Sequence, residues 1–181
     1  MKKMIAVFFP CLLVLLFACS PVTVNYDYDH EYNFDELKTY RWVTAEEADA
    51  NDVLAKNTIV AKRIKAAVDN ELQAKGLTKV DENADLAVNV FGGVEEKMQI
   101  YHHRGSYGWY HPWWGPYGSY TDVSYYEEGT LVIDIISLKT KELAWRGVGT
   151  GTLKEYNNPE KMQRDIDAAV AQILANYPPV Q

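Results

Sequence analysis

Eight of the twenty residues from Tyr101 to Tyr120 are Tyr or Trp, with His102, His103 and His111 among them. Three of the chain's five tryptophans and three of its four histidines fall there. Two chemistries suit these residue types. Tyr107, Trp109, Tyr110, Trp113, Trp114 and Tyr117 offer flat apolar faces with a polar edge, which stack on sugars or peptides at little entropy cost. The imidazoles suit a transition metal, but neighbouring strand residues point to opposite faces, so His102 and His103 converge only where the chain bends. No cysteine or acid in 101–121 completes a ligand set with His111. The plain alternative is a Gly/Pro-broken loop that packs on itself.

Carboxylates are the second resource. Glu127, Glu128 and Asp134 could serve a glycan-processing enzyme only if two of them faced each other across a bound sugar. Asp134 lies inside an apolar strand and reads as a buried acid with a local partner. Asp27, Asp29 and Glu31 alternate like the start of a calcium loop, but Tyr32 stands at the turn-glycine position and Lys38 at the bidentate-glutamate position. His30-Glu31 opens like a zinc-protease helix, and the second histidine is replaced by Phe34. Gly147-Val148-Gly149-Thr150-Gly151 resembles a dinucleotide loop without the helix that must follow. No Gly-x-Ser-x-Gly elbow is present. The expectation is a non-enzymatic chain with no catalytic residues, no cofactor and no resident metal.

Cys19 has the most definite chemistry. Lys2 and Lys3 precede an apolar run from Met4 to Ala18, a pattern that makes residues 1–18 a secretory signal. The run is short for a membrane span, which needs about 20 residues. Leu16-Phe17-Ala18-Cys19 resembles the bacterial lipoprotein box, in which the cysteine is lipidated and becomes residue one. Attachment by more than one acyl chain is stable, at roughly 0.8 kcal/mol per buried methylene. Ser20 follows the cysteine in place of Asp, which by resemblance to the enteric sorting rule directs the protein to the outer membrane, facing the periplasm. Residues 19–21 form the tether and 22–181 a single domain.

Loss of Lys2 and Lys3 takes the formal charge from −7 to −9. An acidic domain without a basic run excludes nucleic acid as an expected partner. Anionic lipid repels it weakly, so the anchor rather than the surface holds it. With Cys11 in the signal and Cys19 acylated, no internal disulfide remains, and the core alone must stabilise the fold.

The positioning elements follow from periodicity. Val22, Val24, Tyr26 and Tyr28 alternate as a half-buried strand, and 39–43 forms a second. Residues 44–52 are acidic and small, a loop. Val60, Ile64, Ala67, Val68 and Leu72 place a helix over 57–75 with Gly76 as its C-terminal cap. A strand begins at 85–91 and continues past Gly92-Gly93 towards Ile100. Beyond the aromatic loop, assigned to 101–124, residues 129–136 form a central strand and 143–153 its hairpin partner. Gly147, Gly149 and Gly151 share one face of that partner, where a large side chain or another backbone can approach. Asn158 and Pro159 start a last helix, with Met162, Ile166, Ala169, Val170, Ile173 and Leu174 as its stripe. The sum is an α+β two-layer sandwich: a mostly antiparallel sheet of about five or six strands with two amphipathic helices on one face.

Tyr28-Asp29, Phe34 and Thr39-Tyr40-Arg41-Trp42, then "ELQAKGL", "ADLAVNV", "EGTLVIDIISLKTKELAWRG" and "IDAAVAQILANYPP", follow in order over nearly all of 22–179. In this the chain resembles the bacterial lipoprotein family catalogued as domain of unknown function forty-one thirty-six. His30 stands where that family commonly has proline, and the aromatic stretch falls where its members vary. The resemblance implies an envelope lipoprotein and this fold, with no catalytic residue to carry over. Membrane attachment through Cys19, and an envelope glycan or protein partner at the aromatic platform, are the expected interactions.

Overall fold

In a computed structural model that describes residues 22–44, 53–103 and 120–180, six strands form one sheet. They are β1 (Thr23–Tyr28), β2 (Thr39–Trp42), β3 (Thr78–Lys79), β4 (Leu86–His103), β5 (Tyr120–Ser137) and β6 (Leu143–Thr152), in the spatial order β1-β6-β5-β4-β2-β3. The pairs β1–β6, β6–β5 and β5–β4 are antiparallel; β2 runs parallel to both β4 and β3. The expected α+β sandwich with a mostly antiparallel sheet is therefore present, and β5 is central. The first two strands are not neighbours but lie on opposite sides of the sheet.

The helices are α1 (Val53–Lys56), α2 (Thr58–Ala74) and α3 (Pro159–Ile173). Asn57 caps α2, its Oδ1 accepting from the Val60 amide at 3.2 Å, and Gly76 takes a left-handed φ of +91° just past its end, as a C-terminal cap requires. Asn158 caps α3 in the same way at 2.8 Å, with Pro159 in the first turn. The buried stripes of α2 (Ile64, Ala67, Val68, Leu72) and α3 (Val170, Ile173) close over Leu86, Val88, Val90, Ile133, Ile135 and Trp145. Successive strand residues alternate faces, so these strand positions all share the helix side. At one end Phe34, Tyr177 and Trp145 continue the core through edge-to-face contacts, with centroids 5.9 Å and 5.5 Å apart.

Two differences from the sequence expectation concern the region beside the site. A one-turn helix, α1, precedes α2; its Leu54 seats on Gly92, where an added Cβ would lie 3.1 Å from Leu54 Cγ. Of the stretch assigned to a loop, 101–124, residues 101–103 and 120–124 are strand, because β4 runs to His103 and β5 starts at Tyr120, paired residue for residue out to His103 opposite Tyr120. Period-two alternation stops being visible where polar and aromatic residues fill both faces, so the sequence pattern ended before the ladder does. Among the described residues no helix is long and apolar enough to cross a membrane.

Candidate functional site

Glycines on the helix side of the sheet create the principal concavity. Gly147 and Gly149 admit Ile173 of α3 so closely that an added Cβ would lie 2.6 Å from Ile173 Cγ2 at the first position and 2.6 Å from Ile173 Cδ1 at the second. Gly147 also receives the Trp145 indole edge. Further along the strands, Gly92, Gly129 and Gly151 floor a groove of about 500 Å³. Leu54, Val60 and Ile64 wall it on one side, and Met162, Ile166 and Ala169 on the other. The small-residue floor lowers the sheet surface while α2 and α3 hold the walls apart. The result suits an apolar occupant.

One rim of the groove is polar. Asp165 of α3 accepts from Tyr156 Oη at 2.8 Å and pairs with Lys154 Nζ at 3.3 Å. The Tyr156 hydrogen bond first, and the lysine second, hold the Asp165 carboxyl below the usual carboxylate range. Burial, reinforced by the same carboxylate, pushes the Tyr156 phenol up to about 12. This cluster ties the strand-to-helix connection to α3.

The carboxylates considered for glycan chemistry lie apart. Asp134 sits on the sheet face away from the helices, where Arg146 Nε and Nη2 donate to Oδ1 and Oδ2 at 2.6 and 2.7 Å. The Arg146 guanidinium also lies over the Phe91 ring, 5.8 Å from its centroid. It is the local partner the sequence called for, and its guanidinium is raised above its ordinary pKa by that hydrogen-bonded carboxylate. Glu128 is six residues away on the same strand and face, roughly 20 Å at 3.3 Å per residue. Glu127 points to the other face, and glycosidase carboxyl pairs stand about 5–9.5 Å apart. No two of the three meet. Asp27 and Asp29 instead accept local backbone amides, from Tyr28 and Glu31, both at 2.9 Å. Among the described residues no three His, Cys, Asp or Glu converge as a metal site.

The Thr39-Tyr40-Arg41-Trp42 motif is a structural clasp. Asp85 Oδ2 accepts from the Lys38 and Thr39 amides and from Thr39 Oγ1 at 3.0, 2.9 and 2.7 Å, fixing β2 to the start of β4. Tyr40 Oη and Trp42 Nε1 both donate to Asp69 Oδ1 of α2, at 2.7 and 3.0 Å, and Lys79 holds Oδ2 at 2.9 Å. Burial and that carboxylate push Tyr40 up to about 12. Among the other motif residues, Phe34, Leu86, Val88, Val90, Ile133, Ile135 and Tyr177 belong to the core. The matching family model, described as Domain of unknown function (DUF4136), spans residues 24–179. The chain belongs to this family.

No curated protein matches the chain. Solved structures give the DUF4136 chain likenesses of fold. It is similar to a PDZ domain protein from Parabacteroides distasonis, with 17% identity and a TM-score of 0.56, over 88% of this chain and 37% of that one. The chain thus spans well under half of that protein. PelC from Paraburkholderia phytofirmans, a dodecamer, is 14% identical with a TM-score of 0.47 over 88% and 99% of the two chains. A minor lipoprotein from Acinetobacter baumannii is 14% identical with a TM-score of 0.37 over 77% and 91%.

Of the DUF4136 residues singled out in the sequence, Cys19, Tyr107, Trp109, Tyr110, His111, Trp113, Trp114 and Tyr117 lie outside the described residues. His102 and His103 occupy the last positions of β4, in register with Thr121 and Tyr120. The groove itself was missed. Its signal was half visible: the glycines of β6 were placed on one face, but Gly92 and Gly129 belong to the same floor only once the register of β4 and β5 is known.

Proposed function

We propose that this protein is a membrane-anchored bacterial envelope lipoprotein, held through lipidated Cys19 in the outer membrane and facing the periplasm. Its DUF4136 domain acts as a non-enzymatic binding or scaffolding module. The observation that carries the binding role is the apolar groove of about 500 Å³ over a glycine floor. Pockets of this size and polarity serve binding, and Asp165 at its rim is engaged by Tyr156 and Lys154. The anchor rests on the N-terminal sequence, Lys2-Lys3, the apolar run and Cys19.

Growth with labelled palmitate tests the anchor: the wild-type chain takes label and the Cys19→Ser form does not. Retention of label by that variant refutes the assignment. The groove is tested with the apolar dye N-phenyl-1-naphthylamine. Its fluorescence enhancement is expected to fall away in Ala169→Phe, which fills the groove, while the unfolding midpoint moves little. Equal enhancement in both proteins removes the groove as the binding site. The glycan-processing alternative is not adopted, because Glu127, Glu128 and Asp134 have no paired geometry to support it.

A further inference from the structure

Beyond the groove, β4 and β5 leave the sheet together. The last β6 pairing is Glu128 with Thr152, yet the β4–β5 ladder continues through residues 95–103 and 120–128. Among the described residues this arm is a two-stranded ribbon, and such ribbons are marginal in water without further cover. On its helix-side face Val94, Met98 and Tyr125 are 45%, 57% and 65% exposed, with Met98 directly opposite Tyr125. Val94 lines the groove, Glu96 opposite Glu127 follows it on the same face, and the Met98–Tyr125 pair stands beyond those two acids.

The arm leaves from the end of the sheet at which β1 begins. Thr23 is level with Thr150, Thr130 and Gly93 across the sheet. β1 therefore begins at the end of the sheet from which β4 runs on to His103. Cys19 lies four positions before Thr23, a reach of at most about 14 Å. Ten residues carry β4 from Gly93 to His103, roughly 33 Å. Sheet twist of roughly 20–25° per strand inclines β5 and β4 by about 40–75° to β1. The arm therefore rises by roughly 10–25 Å along the direction of β1, which brackets the reach of the tether.

Charge divides the arm at the same place. Glu95, Glu96, Glu127 and Glu128 form a collar where it leaves β6, with Lys97 paired to Glu95 and Glu128 at 2.8 and 3.5 Å. From Met98 to Tyr126 the sequence holds only Arg104 and Asp122 of the charged types, and ten Tyr or Trp. Tyr and Trp concentrate at the headgroup level of membranes, where an apolar ring and a polar edge are both satisfied. Carboxylates stay in the water. From this geometry we infer that the outer β4–β5 arm, through the Met98–Tyr125 strip, docks into the headgroup region of the membrane that holds Cys19. It is then a second point of attachment that fixes the domain's orientation. The inference rests on the lipid-anchor reading above.

The test places one environment-sensitive label on the arm. Full-length protein carrying Met98→Cys is purified from membranes and reconstituted into vesicles of phosphatidylethanolamine and phosphatidylglycerol. Cys19 is blocked by its lipid and Cys11 leaves with the signal, so a nitrobenzoxadiazole label reaches residue 98 alone. Lys139→Cys, in the exposed turn at the far end of the sheet, is the control. The label at 98 is expected to brighten several-fold with a blue shift on the vesicles and to be quenched by brominated lipid. The label at 139 should do neither, and Tyr125→Glu should remove most of the gain at 98. Protein that floats with the vesicles while residue 98 reports water overturns the arm inference and leaves the anchor standing. Protein that does not float refutes the anchor, and the inference falls with it. Brightening that grows with protein concentration without vesicles overturns it in favour of a second copy covering the strip.

Discussion

Gly149→Ala tests whether the glycines of β6 exist to seat α3. An added Cβ would lie 2.6 Å from Ile173 Cδ1, 2.8 Å from its Cγ1 and 3.2 Å from Val22 Cγ1. Ile173 is fully buried and caught between Gly147 and Gly149, so it has little room to move. Overpacking of this kind costs about 1–3 kcal/mol, offset by about 0.4–1 kcal/mol from the stiffer unfolded chain. The net loss should be about 1–2 kcal/mol, or roughly 2–8 °C in melting temperature for a domain of this size. In an Ile173→Ala background, itself about 2–5 kcal/mol less stable, every clashing Ile173 atom is gone. Gly149→Ala should there be neutral or stabilising by up to about 1 kcal/mol. The coupling in a double-mutant cycle measured by urea unfolding is thus about 1–3 kcal/mol. If Gly149→Ala costs the same in both backgrounds, the glycine is not there to make room for Ile173.

Arg146→Ala should destabilise by about 3 kcal/mol, because it strands the Asp134 carboxylate, whose side chain is only 8% exposed; urea unfolding reads it. Asp85 is held below its usual pKa first by the Thr39 hydroxyl and then by the Lys38 and Thr39 amides. Its contribution is present above the unfolded carboxylate pKa of about 3.9 and is lost as pH falls through the lower folded value. Asp85→Asn should therefore flatten the acid side of the stability profile and cost about 2 kcal/mol at pH 7. Tyr40 and Tyr156, raised to about 12, stay protonated in the fold above pH 10, where an unfolded chain ionises. Stability should fall between about pH 10 and 12, and Tyr40→Phe with Tyr156→Phe should reduce that slope.

Both long helices were legible because their apolar stripes repeat at helical spacing and their caps, Asn57, Gly76, Asn158 and Pro159, have single local causes. The central position of β5 was legible because residues 131–136 are apolar on both faces apart from Asp134. What stayed hidden depends on register and long-range pairing. Nothing near Thr39 indicates that β2 runs parallel to β4, since that arrangement is set by contacts with Leu86–Val88 and with Asp69 across the helix layer. The motif around Tyr40 and Trp42 was visible as a resemblance, while its cause, two donors sharing one carboxylate oxygen, is a tertiary fact. The groove needed Gly92, Gly129, Gly149 and Gly151, on three strands, to be aligned, and no window of sequence shows that alignment.

The place of β1 bears on how the chain can be delivered. Thr23 at its start pairs with Thr150 near the end of β6, so the first strand to emerge from any channel has no partner until the last strand follows. Contacts of such sequence separation close slowly, because the loop entropy must be met before any pairing stabilises them. The pairings of β2, β3, β4 and β5 need nothing beyond Ser137, so that part of the sheet can close while β1 still waits. The edge strand β1 is fastened last, after the whole of β6 has followed.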